Sequence, residues 1–167
     1  MAAEASSGAM TGHRHRWAGV ARVLSLAATL LATSCAIPRW PVEAPVSSPF
    51  GLRLVGLRPQ IHRGVDISVP PGTPIAAMTN GRVLHAGSLG GYGITVIIEH
   101  RRGWSTLYAH LSETRVRAGD QVRARQVIGL SGQTGAARGA HLHFEIRHRG
   151  RAQDPVPLLG GHPTRQR

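Results

Sequence analysis

Near its C-terminal end the chain reads His141-Leu142-His143-Phe144-Glu145-Ile146-Arg147, a run in which polar and apolar residues alternate strictly. Successive side chains of a β-strand point to opposite faces of a sheet, so this alternation predicts a strand with one apolar face and one polar face. The apolar face, which starts at Leu142, would pack on the core. The polar face would hold His141, His143 and Glu145, so this strand would keep two imidazole groups in fixed positions.

The rest of the chain predicts more short strands. It contains 21 Gly and 11 Pro, and it has no long helical apolar stripe. Short runs rich in β-type residues alternate with turn signals at 75–78, 82–86, 94–100, 104–110, 121–124 and 127–131. Asn80-Gly81 predicts a tight hairpin that joins the first two runs. We therefore predict an all-β, single domain of antiparallel sheets, arranged as a sandwich or a rolled sheet.

The N-terminal 34 residues predict a secretion signal helix. Basic residues at 13–16 precede an apolar run at 23–33 that is too short to span a bilayer, and small residues follow it. Cys35 is the sole cysteine, and it directly follows Leu31-Ala32-Thr33-Ser34. This layout resembles a bacterial lipobox, with Ala32 departing from the usual Leu. It predicts that Cys35 is lipidated, although an ordinary signal peptide with an incidental cysteine is the alternative.

These observations divide the chain into four parts. We predict a signal peptide at 1–34, a Pro-rich tether at 35–47, the folded domain at 48–150 and a flexible tail at 151–167. An exported lipoprotein would be anchored to a membrane of the cell envelope, on the periplasmic face if the host has an outer membrane.

The net charge of +12 comes from 20 Arg residues, with no Lys in the chain. A basic surface attracts polyanions. Biased codon usage in the genome, which favours Arg over Lys, explains the same composition. The Arg residues are scattered, and none of the known nucleic-acid modules is visible. We therefore predict no nucleic-acid partner, and a basic polyanion-binding protein is kept as a rival interpretation.

Two further motifs contain potential metal ligands. If the segment His62-Arg63-Gly64-Val65-Asp66 is extended, His62 and Asp66 lie on one face. Imidazole and carboxylate are both normal zinc ligands, and a catalytic zinc site uses three protein ligands and one water. Either His141 or His143 could complete that set. The segment Tyr108-Ala109-His110 could bring another imidazole to the same place.

Together these motifs resemble the lysostaphin-type or LytM-type zinc endopeptidases, which cut the peptide bridges of bacterial peptidoglycan. The resemblance covers about residues 48–150 in four stretches. These are the Phe-Gly-x-Arg stretch at 48–53, the His-x-x-x-Asp stretch at 62–66, the central stretch from 90–93 to 108–111, and the closing stretch at 135–145.

The resemblance implies that His62, Asp66 and His143 bind one zinc ion, while His110 and His141 stay off the metal as catalytic residues. His141 would be the base that accepts the proton of a metal-activated water, and His110 would stabilise the oxyanion or the leaving group. The substrates would be peptidoglycan peptides and the protein a monomer, and no substrate-binding residue can be named.

The remaining histidines match no motif and are interpreted as surface or structural residues: His85, His100, His148 and His162. The rival function within the same family is that of a non-catalytic activator of a cell-wall amidase. Such relatives typically lack one or more of the five site residues, all of which this chain contains.

Overall fold

The computed structural model describes residues 37–161, so the predicted signal peptide, Cys35 and His162 lie outside the described residues. The strands are β1 (Val46–Ser48), β2 (Gly51–Val55), β3 (Arg58–His62), β4 (Val65–Ile67), β5 (Pro74–Ala76), β6 (Gly81–Ser88), β7 (Ile94–Glu99), β8 (Trp104–Thr114), β9 (Gln121–Val122), β10 (Val127–Ser131), β11 (Leu142–His148) and β12 (Arg151–Gln153). In the described part of the chain, helical structure is limited to two 3-10 turns, Gly90–Tyr92 and Arg101–Gly103, and one α-helical turn, α1 (Pro155–Leu158). Within residues 37–161, no helix is long and apolar enough to span a membrane.

Ten of the strands form one branched sheet, and every pairing in it is antiparallel. Its main path runs β1-β4-β11-β8-β7-β6-β9, while β12 pairs with β11 and β10 pairs with both β5 and β8. Strands β2 and β3 form a separate hairpin. The predicted all-β class with antiparallel sheets is therefore confirmed.

The alternating run forms a strand, β11, as predicted from Leu142 onward, and this strand lies between β4 and β8. Leu142 and Phe144 are fully buried, and the Phe144 ring packs against Tyr108 at a centroid distance of 5.3 Å. Burying each such side chain stabilises the fold by about 1.5–3 kcal/mol. This core layer fixes the opposite face of β11, where the polar residues lie.

The predicted hairpin at Asn80-Gly81 is wrong, because β5 pairs with β10 and β6 pairs with β7. Gly81 instead allows a close approach of two strands: a Cβ atom there would lie 2.4 Å from the backbone oxygen of Glu99. Asn80 accepts a hydrogen bond from the Ala124 amide at 2.7 Å through its side chain. The predicted β runs at 94–100 and 104–110 form β7 and the first part of β8, which pair as a hairpin through the turn Arg101–Gly103.

Ordered structure extends past both predicted limits of the domain. Trp40 is buried in the core, and its indole N–H donates to the Gly161 carbonyl at 2.9 Å. At the other end, β12 pairs with β11, and Asp154 caps α1 by accepting from the Val156 amide at 3.0 Å. Parts of the predicted tether and tail are thus packed against the sheet, and the formal domain limits stay a prediction.

Candidate metal centre

The pairing of β4 with β11 brings Asp66 next to His143. The two residues are directly opposite in the antiparallel register, with Val65 facing Phe144 one position away. Directly opposed side chains lie on the same face of a sheet, about 5 Å apart at Cβ. Val65 is fully buried in the core, so Asp66 points to the other face, where its Oδ1 lies 2.9 Å from His143 Nδ1.

His62 reaches the same point from the separate hairpin. It ends β3, and the chain bends at Gly64 before β4 begins, so His62 and Asp66 do not lie on one continuous extended segment. The bend brings the backbone against β11, where a Cβ atom on Gly64 would lie 2.3 Å from the Phe144 carbonyl oxygen. Even so, His62 Nε2 lies 3.1 Å from Asp66 Oδ1 and 3.1 Å from His143 Nδ1.

The outer ring nitrogens of these two histidines each have an acceptor. His62 Nδ1 lies 2.7 Å from the Pro49 carbonyl, and His143 Nε2 lies 3.0 Å from Glu145 Oε1. When these nitrogens donate, His62 Nε2 and His143 Nδ1 present lone pairs toward Asp66 Oδ1. Three acceptor atoms this close need a cation or a shared proton between them, and two nitrogens with one carboxylate oxygen suit zinc. His62, Asp66 and His143 could therefore hold a metal ion.

Asp66 is held ionised and oriented by its neighbours. Burial alone would raise its pKa, but hydrogen bonds with His143 and His62 outweigh burial and hold the pKa of this carboxyl well below its usual range. Its other oxygen, Oδ2, accepts from Arg53 at 3.0 Å, and the same Arg53 nitrogen donates to Ser48 Oγ at 2.8 Å. Arg53 thus occupies one carboxylate oxygen and leaves Oδ1 for the centre.

Glu145 is a fully buried carboxylate behind His143. Its Oε1 accepts from the Tyr92 hydroxyl at 2.7 Å as well as from His143, and its Oε2 accepts from Arg147 Nε at 2.6 Å. Burial opposes ionisation, but the hydrogen bonds from His143, Arg147 and Tyr92 lower the pKa of Glu145 to about 2. Burial likewise lowers the pKa of His143, and the bonds to Asp66 and Glu145 outweigh it and raise that pKa. Without a metal, these bonds favour a proton on His143, and a bound cation would displace that proton.

A β-bulge places His110 beside this cluster. In the pairing of β7 with β8, residue 96 faces Tyr108 and residue 94 faces Leu111, so Ala109 and His110 together oppose a single residue. His110 has φ 60, a left-handed conformation that is uncommon outside Gly. Simple alternation after Tyr108 would place Ala109 on the face of the site and His110 on the core face. The bulge instead turns the His110 ring toward His143, at a centroid distance of 6.0 Å.

One loop, residues 132–141 between β10 and β11, orients both His110 and His141. His110 Nδ1 lies 2.8 Å from the Thr134 carbonyl, and His141 Nδ1 lies 2.8 Å from the Gly139 carbonyl. Both rings therefore present Nε2 lone pairs, and the rings lie 4.7 Å apart. His141 Nε2 is 3.6 Å from Asp66 Oδ1. Burial lowers the pKa of His110, even though the hydrogen bond with the Thr134 carbonyl opposes this decrease.

The five predicted site residues meet in one groove of about 860 Å³. Sequence reasoning gave no role to Tyr92, Arg147 or the buried Glu145, whose contacts depend on tertiary packing. The sequence signal for Tyr92 was the Gly-rich stretch around it, and the signal for Glu145 and Arg147 was their position on the polar face of β11. Among the other histidines, His100 shares hydrogen bonds with Asn80 O and Thr106 Oγ1 at 2.8 and 2.9 Å, and His148 stacks on Trp104 at 4.5 Å. These are structural contacts, as predicted.

Comparison with known proteins places these residues in a family context. The sequence profile of peptidase family M23 matches residues 60–155. The chain is 43% identical over 115 residues to the DD-carboxypeptidase/endopeptidase Mpg of Neisseria meningitidis, covering 68% of this chain and 26% of that protein. It is 41% identical over 122 residues to the murein hydrolase activator EnvC of Escherichia coli, covering 72% of this chain and 28% of that protein.

The chain is also similar in structure to a solved peptidase. A zinc-containing peptidase from Vibrio cholerae superposes with a TM-score of 0.68 at 31% identity, covering 75% of this chain and 40% of that chain. The matched region is about a quarter of the length of the two curated relatives.

Proposed function

The chain belongs to peptidase family M23, and from this premise we propose that it is a zinc metalloendopeptidase that hydrolyses peptide cross-links of bacterial peptidoglycan. The family match confirms the resemblance to lysostaphin-type enzymes. One observation carries the proposal: His62, Asp66 and His143 converge in a groove that also holds two imidazoles, His110 and His141, whose Nε2 atoms have no hydrogen-bond partner within the described residues.

In this proposal, His62, Asp66 and His143 are the ligands of one zinc ion. Bound zinc would lower the pKa of a water molecule and polarise the scissile carbonyl group. The Pro49 carbonyl, Arg53 and Glu145 each hold one ligand from behind, by the bonds described above. Such outer partners fix ring orientation and typically contribute about 10- to 100-fold to metal affinity.

His141 is proposed as the base and His110 as the group that stabilises the developing charge. Both present a free Nε2 toward the groove, so either ring can accept a proton there and donate it afterwards. Burial makes His110 a weaker proton acceptor than an ordinary histidine and a stronger donor once it is protonated. His141 Nε2 lies nearer to the carboxylate of the proposed metal site, at 3.6 Å from Asp66 Oδ1, which favours His141 as the proton acceptor.

A second function has support from two relatives, since EnvC and NlpD of Escherichia coli are both murein hydrolase activators. Activation of a separate enzyme requires neither a metal nor a base in the groove. This chain has a full set of metal donors together with both free imidazoles, which favours the enzyme.

Digestion of purified peptidoglycan tests the proposal and identifies the bond. The purified chain should release peptides that mass spectrometry can identify, and a chelator should stop the release until zinc is restored. His143→Ala and His62→Ala should remove zinc binding and hydrolysis while the fold persists in circular dichroism. If the parent chain binds no zinc and hydrolyses nothing, yet stimulates a separate amidase, the activator function is the correct one.

We also propose that the protein acts in the cell envelope as a monomer, exported by residues 1–34 and anchored to the membrane through a lipid on Cys35. The support is the signal layout of the sequence. Radiolabelled palmitate should be incorporated into the parent chain and not into Cys35→Ala. Equal labelling of both chains, or of neither, would contradict the anchor.

A further inference from the structure

Two arginines in the groove have no anionic partner. Among the residues that line it, five are charged: Arg53, Arg63, Asp66, Arg138 and Glu145. Arg53 pairs with Asp66, and Glu145 pairs with Arg147 outside this set. Within residues 37–161, no hydrogen bond or ion pair involves the guanidinium group of Arg63 or of Arg138.

Both arginines lie close in the chain to residues of the proposed site. Arg63 directly follows His62 in the bend before β4, and Arg138 lies three residues before His141 in the loop 132–141. Both are exposed, so neither is committed to the fold. A bound zinc ion would add further positive charge to the groove, while both carboxylates that line it are already bonded. The groove is therefore short of negative charge, which a substrate can supply.

From this imbalance we infer that Arg63 and Arg138 bind a carboxylate group of the substrate peptide and so select acidic peptides. This inference rests on the proposed function for the identity of the substrate as a peptide, and it deepens that proposal. A guanidinium group binds a carboxylate through paired hydrogen bonds in a fixed geometry. Because an extended peptide advances about 3.3–3.6 Å per residue, the recognised carboxylate would lie within a few residues of the scissile bond.

The carboxylate could come from a C-terminus or from an acidic side chain, and a binding experiment distinguishes the two. Fluorescently labelled peptides of one sequence would be compared in three forms: a free C-terminus, a C-terminal amide, and a C-terminal amide with an internal Glu in place of Gln. Fluorescence anisotropy on the full chain, with chelator present, measures affinity without cleavage. At least one carboxylate form should bind about 10-fold or more tightly than the neutral amide form, a usual effect of charge-assisted bonds.

Arg63→Gln and Arg138→Gln should each reduce that preference about 10-fold, and Arg138→Lys should keep only part of it. Arg123→Gln is the matched control, because Arg123 is exposed and does not line the groove. Equal binding of the carboxylate and amide forms would overturn the inference, and so would an unchanged preference in both groove variants. Tight binding of an anionic polymer with no preference among the peptides would also overturn it.

The outcome is separable from that of the proposed function. If the chain cleaves peptides but shows no carboxylate preference, this inference is wrong and the enzyme stands. If it shows the preference but cleaves nothing, the inference stands and the enzyme is wrong. In an active protein, the two groove variants should raise KM for the acidic peptide and leave kcat nearly unchanged, as expected when uniform binding is removed.

Discussion

Glu145→Gln should weaken both the fold and the metal site, although the two side chains have nearly the same shape. Glu145 receives three donors at fixed positions: Tyr92 and His143 at Oε1, and Arg147 at Oε2. A glutamine amide has one oxygen and one NH₂ group. If NH₂ replaces Oε2, it faces the Arg147 N–H; if it replaces Oε1, it faces the two other donors. Neither orientation satisfies the cluster.

The expected size follows from the pKa of Glu145. A decrease from the ordinary value of 4.5 to about 2 corresponds to about 3 kcal/mol of stability at neutral pH, at about 1.4 kcal/mol per unit of pKa. Because the folded state holds the lower pKa, this stability is fully present above pH 4.5 and is lost as the pH falls toward 2. Glu145→Gln should therefore lower the free energy of unfolding by about 3 kcal/mol at pH 7. It should also flatten the decline of stability between pH 4.5 and about 2.

Urea unfolding of the metal-free protein at several pH values measures the stability, and zinc competition against a chelating indicator measures the affinity. Zinc affinity should fall about 10- to 100-fold, because Glu145 orients the His143 ring. Glu113→Gln is the matched control, since Glu113 forms an exposed ion pair with Arg115 at 2.8 Å; such a pair contributes about 0–1 kcal/mol. If Glu145→Gln behaves like Glu113→Gln in both assays, the reasoning about the buried carboxylate is wrong.

Three other substitutions test separate parts of the structure. His110→Ala should lower kcat by about 100-fold or more while zinc stoichiometry, measured by atomic absorption, stays at the parent value; loss of zinc would show that His110 is a ligand. Phe144→Ala should lower the free energy of unfolding by about 3–5 kcal/mol in urea, because the ring is fully buried against Tyr108, and a change under 1 kcal/mol would contradict that packing. Burial lowers the pKa of His100 below 6.5, so the unfolded chain takes up the proton more readily than the folded chain. The free energy of unfolding should therefore fall as the pH decreases below 6.5. His100→Gln should remove part of this pH dependence in urea unfolding, and an unchanged dependence would exclude His100 as its source.

Period-two patterns were sufficient to predict the fold class and the strand that carries His143. The strict alternation of residues 141–147 reflects a strand with one face on the core. The neighbouring strand β4 alternates in the same way, with Val65 in the core and Asp66 on the opposite face. The Asn80-Gly81 hairpin failed for a physical reason. Gly is needed there for a close contact with Glu99, and a sequence does not distinguish a glycine required for space from one required for a turn.

Predicting the site needed more than alternation. Ligand chemistry led to His62 and Asp66, and the family resemblance led to His143, yet the bend at Gly64 that joins the first two was not visible in the sequence. The bulge at Ala109–His110 reverses the face that alternation assigns to His110. The buried Glu145 accepts a hydrogen bond from Tyr92, which is distant in the chain. These features arise from contacts between segments, and local patterns contain no information about them.

The loop 132–141 has a consequence for control of the protein. The three proposed ligands are mounted on β3, β4 and β11, whereas His110 and His141 both take their orientation from carbonyl groups of this one loop, at Thr134 and Gly139. In the proposed enzyme, metal retention and proton transfer would therefore depend on different parts of the chain. A local opening of the loop would release both free imidazoles together and leave the metal donors in place. In the proposed enzyme, opening of this loop would stop proton transfer without displacing any of the three proposed metal ligands.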